Sequence, residues 1–259
     1  MKPSMKSPGV ALVTGANRGL GLRASELLAA QGWKVILTAR NAAGCAAAAK
    51  RIGRGALFEA LDVSQPETFE GLGVRLKARG LHLDALVNNA GIYGETGAAG
   101  ARRTIAINFQ GPLRLTDALL PLLADEANVV QVTSGLGSAS HFDAAKRSIL
   151  SNLRIDRAKL NAFIAGYLND VDSGRLSSWP SAYTVSKAGL NALARILARE
   201  LAPRGIRVNA ISPGWVRTDM GGPGAPRTVD QGASGLVWAA TLGKGGPTGG
   251  VFEDQRPLE

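Results

Sequence analysis

The sequence predicts an α/β fold: one doubly wound, seven-stranded, mainly parallel sheet with helices on both faces. Three observations lead there. Short apolar, β-branched runs alternate with longer helix-like segments, which is the rhythm of βαβ units. The runs are apolar through most of their length rather than alternating with polar residues, as strands covered on both faces are. Glycines cluster where the first run gives way to the first helix, at the strand ends where such a sheet holds its ligand.

In order, strands are read at "VALVTG" from Val10, "KVILTA" from Lys34, "ALFEALDV" from Ala56, "DALVNNA" from Asp84, "NVVQVTS" from Asn128, "IRVNAIS" from Ile206 and "GGVFED" from Gly249. Helical patterns, several with Leu at three- and four-residue spacing, begin near Leu20, Ala42, Pro66, Ala101, Ser181 and Thr228. One segment breaks the rhythm. From about His141 to Ser178, where a short loop would suffice, the chain reads as one or two amphipathic helices. Ile149, Leu150 and Leu153, then Leu160, Phe163, Ile164 and Tyr167, recur on their faces. This is an insertion rather than a second domain, so residues 1–259 are read as a single domain.

A chain of 259 residues with 45% hydrophobic and 19% charged residues and mean hydropathy +0.04 has the balance of a soluble globular protein. The opening "MKPSMKSPGV" lacks the apolar run of a signal peptide and no later segment has the length of a membrane span. A cytoplasmic location, with no membrane partner, is expected. A single cysteine, Cys45, rules out an internal disulfide framework. His82 and His141 stand far apart and no CxxC pair occurs, so no metal is predicted. The net charge of +10 would suit nucleic acid, an anionic membrane or a polyanionic small ligand. The arginines are scattered, however, and aromatics make up only 5%, too sparse for a base-stacking surface. A small-molecule partner is expected, and no nucleic acid.

The first strand ends in "TGANRGLG", with Gly15, Gly19 and Gly21 at the turn into a helix and Asn17, Arg18 and Leu20 among them. Glycine lets the backbone approach a ligand closely, and the N–H groups of a helix start attract phosphate. The spacing GxxxGxG differs from the GxGxxG fingerprint, but the strand-to-helix context supports the same use, in a Rossmann-type dinucleotide fold. An NAD-preferring site typically presents an acid at the end of the second strand. Ala39 and Arg40 stand there instead. Arg40 with Arg18 would clamp a 2′-phosphate, so NADPH/NADP+ is the cofactor expected. Asp62 and Val63 follow the third strand, where an adenine would rest, and Asn89, Ala90 and Gly91 close the fourth. Further on, "SAYTVSKAGL" puts Tyr183 and Lys187 one helical turn apart on one face, able to point into a single site.

With the glycine loop, NNAG and YxxxK in this order, the chain resembles the short-chain dehydrogenase/reductase family across nearly its whole length. "IRVNAISPGWVRTDM" is similar to the family segment that contacts the nicotinamide end of the cofactor, which implies roles for Pro213, Gly214, Val216 and Thr218. Within the family, the helical insertion, "LTAR" and "PGWVRTDM" resemble the monomeric NADPH-dependent carbonyl reductases. The resemblance makes Asn108 in "AINFQG" the catalytic asparagine and Ser134 in "VVQVTSG" the catalytic serine, completing a tetrad with Tyr183 and Lys187. Animal members carry a cysteine pair, associated with glutathione conjugates, where this chain has Ile211 and Ser212. That preference is not carried over.

The expected reaction is reduction of an aldehyde, ketone or quinone. Tyr183 donates the proton, Lys187 lowers the phenol pKa and Ser134 steadies the substrate oxygen; the family resemblance implies that Lys187 also holds the nicotinamide ribose and that Asn108 anchors a water linking Lys187 to solvent. Taken singly each residue has an inert alternative: a half-buried helix aromatic, a solvated lysine, a strand-end cap, a helix polar group. The competing functions are an alcohol or hydroxysteroid dehydrogenase working in the oxidative direction, a cofactor-sensing regulator and a basic nucleic-acid binder. The Tyr183 helix and the one from Ala101 are the pairing faces of tetrameric relatives. An insertion lying over them implies a monomer, unless its own apolar face makes a new dimer contact. The glycine-rich "MGGPGAPRTVDQG" from Met220 is expected to border the substrate pocket as a mobile lid.

Overall fold

The structure, a computed structural model, describes residues 5–258. The first four residues of the amino-terminal stretch and Glu259 lie outside the described residues. The first half of the chain runs β1 (Val10–Thr14), α1 (Gly19–Ala30), β2 (Lys34–Ala39), α2 (Ala42–Ile52), β3 (Leu57–Ala60), α3 (Phe69–Ala78), β4 (Leu83–Asn88), α4 (Gly97–Ile105) and α5 (Gly111–Leu119). The second half runs β5 (Leu123–Val132), α6 (Ala144–Leu150), α7 (Arg157–Asp172), α8 (Ala182–Glu200), β6 (Arg207–Ile211), α9 (Val229–Ala240), β7 (Val251–Glu253) and β8 (Arg256–Pro257).

All strands join one sheet in the order β3-β2-β1-β4-β5-β6-β7-β8, parallel except for the antiparallel last pair. The strand order reverses between β1 and β4, which opens a crevice at their carboxyl ends. The central strands are apolar through most of their length because each feeds two cores. Leu12, Ile36, Leu86, Val129 and Val208 pack under α3, α5 and α8. Ala11, Val13, Val35, Leu37, Val87 and Val130 pack under α1, α2 and α9. Eight strands, rather than seven, result because β8 is a two-residue return of the chain, too short to leave a periodic signal. The fifth strand begins at Leu123, earlier than its apolar run, and its register against β4 shifts between Leu83, opposite Leu123, and Ala85, opposite Asn128. The helix expected near Ala101 begins at Gly97 and passes through a π-helical turn, Ala106–Gln110, directly into α5.

The insertion forms α6 and α7. Leu150, Leu160, Phe163, Ile164, Tyr167 and Val171 are buried, and α7 lies on α4 and α8. Ile149 and Leu153 are exposed, contrary to the amphipathic reading, with Leu153 at 72%. Helix α6 is only seven residues long, so its core face has room for Leu150 alone, and Leu153 falls in the turn beyond it. Arg157 at the start of α7 bonds Asp117 of α5 and Glu200 of α8, each at 2.8 Å, and Arg102 of α4 pairs with Asp172 at its end. The insertion thus covers the α4 and α8 face. Among the described residues no helix is long and apolar enough to cross a membrane.

Candidate active site

The loops after β1 to β6 converge on one cleft of about 810 Å³ at the carboxyl edge of the sheet. Its first wall is the glycine loop. Gly15 (φ +64°) and Gly19 (φ +56°) occupy left-handed backbone, which disfavours any side chain. Asn89 and Ala90 brace the loop from β4: both backbone N–H groups bond Thr14 Oγ1 at 2.9 Å, and Asn89 Nδ2 donates to the Thr14 carbonyl at 2.8 Å. Gly21 lies beneath the loop rather than on the cleft wall. A Cβ there would sit 2.5 Å from both Asn89 Nδ2 and the Gly15 carbonyl oxygen. At the start of α1, Arg18 makes no side-chain cap and the first turn holds no acid, so no carboxylate competes there for an anion.

Gly15, Asn17, Arg18, Gly19 and Leu20 line the cleft, as do Arg40 after β2, Asp62 and Val63 after β3, and Asn89, Ala90 and Gly91 after β4. Asp62 is fixed by accepting hydrogen bonds from Ser64 N (2.9 Å) and Ser64 Oγ (2.7 Å). Two glycines in left-handed backbone, at a helix start whose first turn holds no acid and with two arginines beside them, fit a phosphorylated dinucleotide. Of these arginines, Arg18 is already engaged across the cleft: its Nη1 bonds Asp219 Oδ2 at 2.6 Å.

At the other end, Ser181 caps α8 by accepting from Thr184 N, which sets Tyr183 and Lys187 in its first turns. Both line the cleft. Lys187 is 5% exposed; its Nζ donates to the Val132 carbonyl at 2.7 Å and stands 5.5 Å from the centre of the Tyr183 ring. Burial brings the Lys187 pKa down to about 8. Burial also raises the Tyr183 pKa, a hydrogen bond from Ser134 works against that rise, and Tyr93 adds to it. The expected depression of the phenol pKa is therefore corrected. Desolvation is the largest influence on the phenol, and the Lys187 ammonium donates to the Val132 carbonyl.

Asn108 lies in the π-helical turn, behind the cleft wall. Its Oδ1 accepts from Ile92 N at 2.8 Å and its Nδ2 donates to the Ile92 carbonyl at 2.9 Å, clamping the loop after β4. Nδ2 also reaches Ser186 Oγ at 3.3 Å. An added Cβ on Gly91 would meet Asn108 Oδ1 at 3.2 Å and Lys187 Nζ at 3.8 Å, so these two groups flank one point. Ser134 follows β5 and caps the next turn, accepting from Leu136 N at 3.2 Å.

Pro213 and Thr218 line the cleft, whereas Gly214 and Val216 do not. Val216 is buried and bridged to Arg227. Gly214, at φ +71°, lies where a Cβ would meet Arg227 Cδ at 2.5 Å. Together they close the base of the loop that carries Met220. Ile92, Thr133, Arg217 and Asp219 also line the cleft. Each is a near neighbour of a motif residue, and sequence adjacency was the signal available. Tyr93 meets the Tyr183 ring edge to face, centroids 4.9 Å apart, with no sequence signal at all.

Residues 9–147 match the family model for short chain dehydrogenase, and residues 170–241 match that for enoyl-(acyl carrier protein) reductase. Carbonyl reductase [NADPH] 1 of Bos taurus is 35% identical over 96% of this chain and 98% of its own length. The (+)-neomenthol dehydrogenase of Arabidopsis thaliana is 34% identical over 92% of this chain and 93% of its own. Among solved structures, salutaridine reductase from Papaver somniferum superposes with a TM-score of 0.88 at 27% identity, covering 95% of this chain and 99% of that one. The family model over residues 9–147 and these full-length likenesses lead to one conclusion: the chain belongs to the short-chain dehydrogenase/reductase family.

Proposed function

We propose that this protein is an NADPH-dependent reductase of an aldehyde, ketone or quinone, with Tyr183 as proton donor. The observation that carries the reading is that Tyr183 and Lys187 line the same cleft as the glycine loop, with Ser134 hydrogen-bonded to the phenol. The name carbonyl reductase [NADPH] 1 borne by a full-length relative agrees with it.

A bound nicotinamide cofactor supplies hydride. Gly15, Asn17, Gly19 and the start of α1 would hold its phosphates, Arg40 and Arg18 a 2′-phosphate, Asp62 and Val63 the adenine end, and Pro213 and Thr218 the nicotinamide end. The raised pKa keeps Tyr183 protonated at neutral pH, the form a reduction requires. As negative charge develops on the substrate oxygen, Ser134 and Tyr183 donate to it together. Lys187, with a pKa of about 8, is about nine-tenths protonated at pH 7, and its charge stabilises the phenolate left behind. Asn108 holds the loop after β4 against this group. The insertion over α4 and α8 favours a monomer.

Tyr183→Phe tests the reading: the fold and NADPH binding are retained while carbonyl-dependent NADPH oxidation falls at least about a hundredfold, in the range of a lost general acid. Retained turnover would remove Tyr183 as the donor. The name of the Arabidopsis thaliana relative, a dehydrogenase, supports a second reading in which the same residues run chiefly as an alcohol or hydroxysteroid dehydrogenase. Initial rates in both directions at neutral pH decide between them.

A further inference from the structure

Three of the loops that bound the catalytic end carry large apolar side chains to the surface. Tyr93 follows β4, Leu136 follows β5, and Trp215 and Met220 follow β6; all four are exposed. Exposed apolar groups gathered on loops that share one end of a sheet mark a surface for an apolar ligand. Only Tyr93 has a ring contact with the phenol, and two features fix that contact. The residue before it, Ile92, is clamped through both backbone groups by Asn108. The two rings meet at 84° with centroids 4.9 Å apart, the edge-to-face geometry aromatic pairs favour. Tyr93 nonetheless remains 56% exposed, so more than half of its surface is open beside the phenol.

Resting on the reductase reading above, we infer that Tyr93 is a specificity-determining residue: its open ring surface is a platform for the flat, conjugated part of the substrate. The favoured substrates are then aryl ketones, aryl aldehydes or quinones, rather than saturated carbonyl compounds of equal size. A planar π system laid on Tyr93 brings its carbonyl beside Tyr183 and gains the contact that one aromatic pair provides, about three- to tenfold in affinity. A saturated ring has no quadrupole to match and gains only burial. The Tyr93 hydroxyl is not needed for this, so the ring and the hydroxyl separate cleanly by substitution. Because the ring also packs on Tyr183, a positioning role is the rival explanation, and it would shift the protonation of Tyr183.

The test compares an aryl ketone with a saturated cyclic ketone of matched size, using wild-type protein, Tyr93→Phe and Tyr93→Leu. For each, kcat, KM and the pH dependence of kcat are measured, with the dissociation constant of NADPH as a check on the fold. Tyr93→Leu raises KM for the aryl ketone about three- to tenfold and for the saturated ketone less than about twofold, keeps NADPH affinity in place, and has the pH profile of Tyr93→Phe, since both lose the hydroxyl that adds to the Tyr183 pKa. Tyr93→Phe keeps the KM of the wild type with both substrates. Equal changes for the two substrates, or a pH profile in Tyr93→Leu displaced from that of Tyr93→Phe, would overturn the inference while leaving the reductase reading intact. Wild-type protein that binds NADPH yet reduces neither ketone, nor any other carbonyl offered, overturns the reductase reading and this inference with it.

Discussion

Lys187 gives the most direct physical test of the catalytic end, because its environment turns into a measurable dependence of stability on pH. The side chain is almost fully buried, and burial lowers its pKa from 10.5 to about 8. The folded protein therefore releases this proton more readily than the unfolded chain does. Between pH about 8 and 10.5 unfolding takes up a proton, so the stability contributed by this residue rises with pH across that window. At 1.36 kcal/mol for each pH unit, the fall in pKa amounts to about 3 kcal/mol. Below pH 8 the protein bears this full cost of a buried ammonium, offset in part by the bond to the Val132 carbonyl at 2.7 Å. Lys187→Met removes the titration while keeping an unbranched side chain of similar length. Urea denaturation of both proteins from pH 7 to 10.5 isolates the effect, because groups common to the two cancel. The stability of the wild type relative to Lys187→Met is expected to climb by about 3 kcal/mol over that range, with little change below pH 7.5. A difference that stays flat with pH would refute the argument, since Lys187 would then titrate alike in folded and unfolded states.

Other perturbations test the remaining parts of the cleft. Gly21→Ala places a Cβ 2.5 Å from the Gly15 carbonyl oxygen and Asn89 Nδ2. It should lower stability by about 1–3 kcal/mol in urea titration and abolish cofactor binding by calorimetry, whereas an unchanged Kd would argue against a tight loop. Arg40→Asp should weaken NADPH about tenfold or more, the scale of a lost charge-assisted bond, and NADH far less. Equal losses would remove Arg40 from 2′-phosphate recognition. Light scattering at several concentrations should give the mass of one chain, because α7 covers α4 and α8; a stable tetramer would contradict the covering argument.

Much of the fold was legible because strands between two helical layers must be largely apolar on both sides, and most of the buried residues of β1, β2, β4, β5 and β6 are. Site positions that depend on backbone were legible for a related reason. Gly15 and Gly19 are glycines because the loop adopts positive φ, and Tyr183 and Lys187 face one cleft because helical spacing puts them there. What stayed hidden depends on distances between segments far apart in sequence. No pattern announces that Arg18 will meet Asp219, 201 residues away, or that the Asn108 amide will be committed to the backbone of Ile92. The π-helical turn around Asn108 is hidden too, since a single widened turn inside a helix carries no residue signature of its own.

The phenol shows most sharply where sequence reasoning stops. A lysine one turn away favours phenolate by its charge, and spacing alone reveals that charge. The same helix face also removes both groups from water, and the penalty depends on what α4, α8 and the loop after β4 pack around them. For Tyr183 desolvation prevails and the pKa rises; for Lys187 it falls to about 8. The two values are thereby drawn in opposite directions from what mutual attraction alone would give, leaving a neutral phenol beside a still mostly protonated amine at pH 7. That is the charge state in which a proton is available to a carbonyl oxygen. On the proposed reductase reading, the burial that makes each ionised form costly is what prepares the pair for reduction, and the Lys187→Met titration measures one half of it directly.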